Sequence, residues 1–424
     1  MSIEQLYQLY LQYPSVETDT RKLKKDDLFF ALKGPSFNGN AFAEKALEAG
    51  AAYAVVDEEG VAQHEKMILV DDVLATLQAL AKYHRQQFTI PFLAITGSNG
   101  KTTTKELVHA VLSSSLTAYT TEGNLNNHIG VPLTILRVKK DAAAAVIEMG
   151  ANHQQEIAGY CQYTMPTHGI ITNAGKAHLE GFGGAEGVKK GKGELYDYLR
   201  ANNGTAFVMD DYDYLRRMSE NIPHLITYGT GKAMVVGQAI KSEPFLEVQF
   251  TKGIQETIRT QLVGDYNLPN ILAAAAVGVY FNITSTDIKA ALEDYTPSNS
   301  RSQLIKQGSN TIVLDAYNAN PSSMKAAIEN FARLPAENKV LMLGGMAELG
   351  EESQAEHTLI IELINRYKWK AVVLAGGDFL KIIHPYTRFE NASQAKDWFR
   401  QQHFEHTAIL IKGSRSMQME KVLS

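Results

Sequence analysis

The sequence predicts an α/β protein of three successive units, and three observations carry that prediction. Short apolar runs alternate with helical patterns along most of the chain. A glycine loop, Thr96-Gly97-Ser98-Asn99-Gly100-Lys101-Thr102, separates a strand pattern from a helix pattern. The 424 residues also exceed what one hydrophobic core organises, so two or three domains are expected.

The first unit is expected over residues 1–88. Asp27–Leu32 is an apolar strand closed by the breaker Lys33-Gly34-Pro35. A helical pattern over 41–49 ends at Gly50, and Ala52–Val56 reads as a buried strand. Val73, Leu74, Leu77, Leu80 and Ala81 repeat at helical spacing within 73–87, and Thr89-Ile90-Pro91 makes a linker. The central unit, 89–297, opens with strand Phe92–Ile95, the glycine loop and a helix over Thr103–Leu112. Further strands are expected at Ala143–Ile147, Gly169–Thr172 and Thr205–Met209, which makes the sheet mainly parallel. Alternating stretches between Thr227 and Val263 resemble antiparallel hairpins added to it. The third unit, 298–424, starts near Ser298-Asn299-Ser300. Its strands are expected at Thr311–Leu314, Val340–Leu343, Ala371–Leu374 and Ala408–Ile411, a Rossmann-like α/β arrangement.

Composition excludes several classes. Hydrophobic residues make up 45% and charged residues 21%, an ordinary globular balance. No apolar run approaches the ~20 residues of a membrane span. The opening Met1-Ser2-Ile3-Glu4-Gln5-Leu6 lacks a secretory pattern, so cytoplasm is the expected location. The single cysteine, Cys161, rules out an intrachain disulfide and a Cys-based zinc site. Net charge is −5 with both signs interspersed, so no nucleic-acid partner is expected. A polyanionic ligand must then be met by local amides, cations and metal ions.

The glycine loop supplies such groups. Glycines turn the backbone tightly, so successive N–H groups and the helix start face phosphate oxygens. Lys101 brings a cation to the β/γ-phosphates and Thr102 a hydroxyl suited to Mg²⁺. The strict phosphate-loop pattern has glycine where Ile95 stands, so this is a shortened form. Glu148 ends the run Ala143–Ile147, at the strand edge where α/β sheets gather ligands. A carboxylate there can hold Mg²⁺; standing alone, it is a polar strand terminus. His178 follows a third strand end, as a metal ligand or a solvated loop histidine. Lys189, Lys190 and Lys192 read from composition as a solvated basic face. Asn267 and Asn270 precede an alanine-rich helix, as caps or as amides facing an adenine edge. Asp315 ends the first strand expected in the third unit; it suits ribose hydroxyls or forms a turn.

Together these pieces resemble the Mur ligase family, the amide-forming ligases of peptidoglycan precursor synthesis. Gly97-Ser98-Asn99-Gly100-Lys101-Thr102-Thr103 is similar to that family's short loop. The resemblance continues through Asp19-Thr20-Arg21, Asp27–Gly34, Gly123–Asn127, Glu148–His153 and Ala177–Gly183. It ends with Tyr317–Pro321, Met346–Gly350 and Lys412–Ser416, covering nearly the whole chain. It implies ATP and Mg²⁺ as cofactors, with Gly97 to Thr103 on the phosphates, Asn270 on adenine, Arg301 on phosphate and Asp315 on ribose. Thr102 and Glu148 fall on a first Mg²⁺ site. His178 and Lys192 fall on a second, Lys192 as a carbamate derived from CO₂ or bicarbonate. Lys101, Glu148, His178 and Lys192 are thereby the expected catalytic set.

Within the family, the matches point to the branch that joins D-alanyl-D-alanine to a UDP-N-acetylmuramoyl-tripeptide. The first unit would bind the uridine diphosphate end through Thr20, Arg21 and Lys33, with Asn124 and Asn126 nearer the pyrophosphate or sugar. Asn318 and Asn320 are expected substrate contacts. A monomer is expected. Two departures stand out: Gly344-Gly345-Met346 replaces Gly-Asp-Met, and Phe37-Asn38-Gly39-Asn40 lacks the usual aspartate and histidine. A sister ligase adding a diamino acid to the dipeptide precursor is the first rival, but its Asp-Asn-Pro-Arg motif is missing. A folate polyglutamate ligase is disfavoured by the first-unit match. A catalytically silent nucleotide-gated binding protein is disfavoured by the retained Lys101, Glu148, His178 and Lys192.

Overall fold

Three parallel-rich sheets follow one another along the chain, as the alternating pattern predicts. The computed structural model describes residues 1–298 and 300–424. Asn299, part of the expected junction at Ser298–Ser300, lies outside the described residues.

The first sheet has four parallel strands in the order Val16–Glu17, Leu28–Phe30, Tyr53–Val56, Met67–Leu69. Helix Val73–Arg85 is capped by Asp72, whose carboxylate accepts Ala75 N–H at 2.7 Å. It buries Val73, Leu77, Leu80 and Ala81, most of the stripe read from the sequence.

The second sheet has nine strands. Within it, Phe92–Thr96 is flanked by Ala144–Glu148 and His168–Ile171, both parallel to it. Every residue of Phe92–Thr96 and Ala144–Glu148 is buried. Strands covered on both faces read as continuous apolar runs, which is why they were legible. Thr205–Met209 and His224–Gly229 extend the sheet in parallel, and Val235 and Val236 pair parallel with Tyr228 and Gly229. Antiparallel pairing starts only with Val235–Lys241, Glu247–Lys252 and Thr257–Arg259, so the added hairpins occupy the later part of the expected region. Helix Lys101–Ser113 packs against Leu268–Tyr280, which is buried from Asn270 to Gly278. The small alanines let the two helices come close, and this brings Asn270 to the glycine loop.

In the third sheet, Asn310–Asp315, Thr407–Lys412, Asn338–Gly344, Ala371–Ala375 and Thr387–Phe389 run parallel. Gln303–Gln307 forms an antiparallel hairpin on one edge. That hairpin and the edge strands Thr387–Phe389 and Ala118–Thr120 have no apolar run long enough to announce them. Among the described residues, no helix is long and apolar enough to cross a membrane.

Candidate active site

The carboxyl ends of the central strands and the facing surface of the third sheet enclose a cleft of about 840 Å³. The glycine loop forms its floor, and its conformation demands glycine at two points. Gly97 has φ 148°, and a Cβ there would lie 1.9 Å from Thr172 Oγ1. Gly100 has φ 78°, and a Cβ there would lie 2.5 Å from Asn270 Oδ1. The loop is clamped from the neighbouring strand end. Asn99 N–H donates to Asn173 Oδ1 at 3.0 Å, and Thr172 Oγ1 donates to Asn99 O at 2.6 Å. Ser98 Oγ donates to Gly175 O at 2.9 Å.

Lys101 opens the helix and folds its ammonium onto the loop, donating to Gly97 O at 2.7 Å and Ser98 O at 3.3 Å. Burial pushes its pKa down, opposed by the Glu148 carboxylate and assisted by the Arg301 cation. Thr102 Oγ1 donates to Glu148 Oε1 at 3.1 Å, and Asn126 Nδ2 donates to the same oxygen at 2.7 Å. Glu148 is only 1% exposed, and its other oxygen, Oε2, has no hydrogen-bond partner among the described residues. A buried carboxylate oxygen left bare is costly unless something binds it. Beside a threonine hydroxyl it forms an all-oxygen donor set, which fits a hard cation such as Mg²⁺.

The structure treats the other expected metal ligands differently. His178 lines the cleft, but its Nδ1 meets the carboxylate of Glu348 from the third unit, and the imidazole holds that carboxyl below its usual range. Lys192 lies beneath the cleft wall, 1% exposed, with Nζ 2.9 Å from Ala151 O and 4.7 Å from the Phe182 ring centre. It belongs to helix Ala185–Ala201, whose solvated face carries Lys190 but not Lys192. Burial pushes the Lys192 amine well down, and the Lys101 cation adds to this against Glu156 and Glu194. No group of three His, Cys, Asp or Glu side chains suited to a metal occurs among the described residues.

Arg301, Asp315, Asn318 and Asn320 reach the cleft from the third unit, and Asn270 and Thr103 from the central one. The Arg301 guanidinium stacks on Tyr317 at 3.4 Å. Asp315 is bound on both oxygens, by Lys412 Nζ at 2.6 Å and Ser302 N–H at 3.1 Å. Asn270 accepts from Thr104 Oγ1 at 3.0 Å and donates to Asn267 Oδ1 at 2.9 Å, which leaves one amide N–H over. Asn320 caps helix Pro321–Arg333 and donates to Asn99 Oδ1 at 2.7 Å, tying the third unit to the loop. Asn318 Oδ1 accepts Ala319 N–H at 2.9 Å.

Thr20, Arg21, Lys33 and Asn124 stand apart from this cleft. Arg21 pairs with Asp19 at 2.8 and 2.7 Å, and Lys33 with Asp57 at 2.8 Å and Glu58 at 3.0 Å. Asn38 and Asn40, the departures in the first unit, hydrogen-bond Glu58 and Asp57 respectively. Gly345 is also required by packing, since a Cβ there would lie 2.8 Å from Gly377 Cα.

Several cleft or interface groups were given no role from sequence. Lys412 and Glu348 sit in stretches already noted for their resemblance. Lys176, whose ammonium lies 2.5 Å from Glu356 Oε1, gave no signal because its partner is distant in the chain.

A phosphate loop, a bare buried carboxylate and a cation-bearing second sheet closing over them define a nucleotide-dependent phosphoryl-transfer enzyme with α/β domains. Comparison with known proteins narrows this. Three family profiles match in sequence order: "Mur ligase family, catalytic domain" over 12–85, "Mur ligase middle domain" over 95–278, and "Mur ligase, glutamate ligase domain" over 300–415. The UDP-N-acetylmuramoyl-tripeptide–D-alanyl-D-alanine ligases of Bacillus subtilis and Escherichia coli are each 35% identical to it, over 96% of this chain and 92% of theirs. A MurF structure from Acinetobacter baumannii superposes with a TM-score of 0.89 at 28% identity, covering 100% of this chain and 97% of that one. MurF from Thermotoga maritima in complex with ADP gives a TM-score of 0.87 at 26% identity, covering 97% of each chain. The chain belongs to the Mur ligase family.

Proposed function

We propose that the protein joins D-alanyl-D-alanine to a UDP-N-acetylmuramoyl-tripeptide at the expense of ATP, in the cytoplasmic synthesis of peptidoglycan precursors that sustains cell shape and division. The observation that carries this reading is the Glu148–Thr102 pair beside the clamped loop, with Glu148 Oε2 left bare. Relatives bearing that activity in their names, matched over almost the whole chain, support the substrate assignment.

The ATP γ-phosphoryl group passes to the terminal carboxylate of the tripeptide, giving an acyl phosphate and ADP. The dipeptide amine then attacks the acyl carbon; the C–N bond forms, phosphate leaves, and the nitrogen loses a proton. Two anions meet in the first step, so the site must neutralise charge. Backbone N–H groups of Gly97 to Thr103 and the helix start face the phosphates. Lys101 exchanges its loop carbonyls for phosphate oxygens, and Arg301, held flat on Tyr317, approaches from the other side. Asp315 takes the ribose, and the spare N–H of Asn270 takes the base. Thr102 and Glu148 would hold Mg²⁺, which when bound supplies positive charge against the charge that develops during phosphoryl transfer.

His178 and Lys192 are assigned to a second Mg²⁺ site. The buried amine of Lys192 is held towards its neutral form, the form that attacks CO₂; its nitrogen then bears a carboxylate and releases a proton. The carbamate is anionic near Glu156 and Glu194, and that arrangement needs a cation. Residues 1–88 are assigned to the uridine end of the substrate through Thr20, Arg21 and Lys33, with Asn124 and Asn126 beyond them. Residues 89–297 are assigned to ATP. Residues 298–424 close over it and contact substrate through Asn318 and Asn320. The protein acts as a monomer.

Trapping tests the first step. ATP, Mg²⁺ and the UDP-muramoyl-tripeptide, without D-alanyl-D-alanine, should yield a hydroxamate when hydroxylamine is added. ADP release with no trapped acyl group would refute the acyl-phosphate route.

A further inference from the structure

Ser302 and Asp315 are neighbours across the hairpin that opens the third unit. The register pairs Gln303 with Leu314, so the next rung outward sets Ser302 against Asp315. There Ser302 N–H donates to Asp315 Oδ1 at 3.1 Å, while Lys412 Nζ holds the other oxygen at 2.6 Å. Ser302 is buried and holds φ 49°, a conformation that a non-glycine residue keeps only where its surroundings impose it. Its side chain supplies one such tie. Ser302 Oγ lies 3.0 Å from the hydroxyl of Tyr266, in the central unit, and the two share a hydrogen bond. Tyr266 stands in the short turn Asp265–Asn267 that leads into helix Leu268–Tyr280 and so to Asn270. Its ring is seated over Gly264, where a Cβ would lie 2.4 Å from Tyr266 Cε1 in a backbone of φ 91°. Tyr266, Asn270, Ser302 and Asp315 all line the cleft.

We propose that Tyr266 is a positioning residue for nucleotide recognition: through Ser302, its hydroxyl sets the Asp315 carboxylate for the ribose hydroxyls. Asn270 belongs to the central unit and Asp315 to the third, so one nucleotide has to be met by both. The Tyr266–Ser302 bond ties the turn that leads to the base contact directly to the turn that holds the ribose contact. Without the Tyr266 hydroxyl, Asp315 keeps both of its donors, but the Ser302 turn that presents one of them is released. Ribose recognition then weakens, while base and phosphate recognition, which use other groups, stay as they were. This rests on the reading of Asp315 as the ribose contact and adds to it the residue that holds Asp315 in register with the central unit.

Calorimetric titration of the full chain with ADP and with 2′,3′-dideoxy-ADP tests this. Wild type should bind ADP at least about 10-fold more tightly than the dideoxy nucleotide, and Asp315→Asn should shrink that margin. Tyr266→Phe keeps the ring over Gly264. It should weaken ADP binding about 3- to 10-fold and leave dideoxy-ADP within about twofold of wild type. Ser302→Ala, which keeps the N–H to Asp315, should do the same. Tyr266→Phe/Ser302→Ala should lose no more than either single variant. Arg333→Ala breaks a different contact between the units, the 2.6 Å pair with Asp265, and should keep the wild-type margin. An unchanged margin in Tyr266→Phe, equal weakening of both nucleotides there, or additive losses in the double variant would overturn the proposal. A reduced margin in Arg333→Ala would do so too, because looser docking would then explain the effect. Wild type binding both nucleotides equally would refute the ribose role of Asp315 and the proposal with it. Absence of D-alanyl-D-alanine ligation would refute the ligase reading alone, because the binding comparison needs no turnover.

Discussion

Gly97→Ala isolates the geometry on which the proposed phosphate site depends. The new Cβ would sit 1.9 Å from Thr172 Oγ1, far inside van der Waals contact, in a backbone of φ 148°. Overpacking of this kind costs about 1–3 kcal/mol. The disfavoured backbone adds about 1–2 kcal/mol. The loop escapes only by moving, which breaks the 2.6 Å bond from Thr172 Oγ1 to Asn99 O and turns the amides away from the phosphates. If the whole cost of about 2–5 kcal/mol falls on nucleotide binding, affinity drops about 30-fold to several-thousand-fold. Calorimetric titration with ADP measures this directly. Thr172→Ala removes the clashing oxygen, so Gly97→Ala/Thr172→Ala should bind better than the sum of the two single losses predicts. ADP affinity in Gly97→Ala within a few-fold of wild type would refute the steric argument, and strict additivity would refute the role of Thr172.

Other outcomes follow from the same contacts. Glu148→Gln keeps an acceptor for Thr102 and Asn126 but loses the charge, so kcat should fall at least about 100-fold, with a raised Mg²⁺ requirement in a magnesium titration. Lys192→Ala should abolish turnover, with partial rescue by short carboxylic acids; rescue by short amines in their place would point to a cationic role. His168 is buried against Phe207, Tyr280 and Phe281, and burial lowers its pKa to about 4 from 6.5. Between those values the unfolded chain binds the extra proton, so stability should fall as pH drops from 6.5 towards 4, by about 3 kcal/mol in full. Denaturant unfolding of wild type and His168→Leu at pH 7 and pH 4.5 should show a smaller acid loss in the variant.

The strand–glycine loop–helix unit was legible because all its parts are contiguous: a strand buried on both faces, glycines, lysine, and a helix that starts at once. Glu148 was legible through its place at a strand end. Lys192 was not, because charge composition puts it with Lys189 and Lys190 on a solvated face; only the helical turn of Ala185–Ala201 separates its buried position from theirs. Its assignment came from resemblance alone. Cross-unit pairs such as His178–Glu348 and Lys176–Glu356 were illegible for a different reason. They link residues far apart in the chain, and no periodicity records that kind of contact. The Gln303–Gln307 hairpin escaped because its residues are only partly covered, which leaves a weak apolar pattern. Gly345 looked like a lost aspartate, whereas packing against Gly377 leaves no room for any side chain there.

The central claim is the identity of the incoming amine. Purified protein with ATP and Mg²⁺ should be given UDP-N-acetylmuramoyl-tripeptide with D-alanyl-D-alanine and, in parallel, the dipeptide precursor with a diamino acid. Phosphate and new amide are then measured by mass spectrometry and phosphate release. The account predicts amide and equimolar phosphate with D-alanyl-D-alanine and neither in the parallel reaction. Amide formed with the diamino acid, and none with D-alanyl-D-alanine, would contradict it.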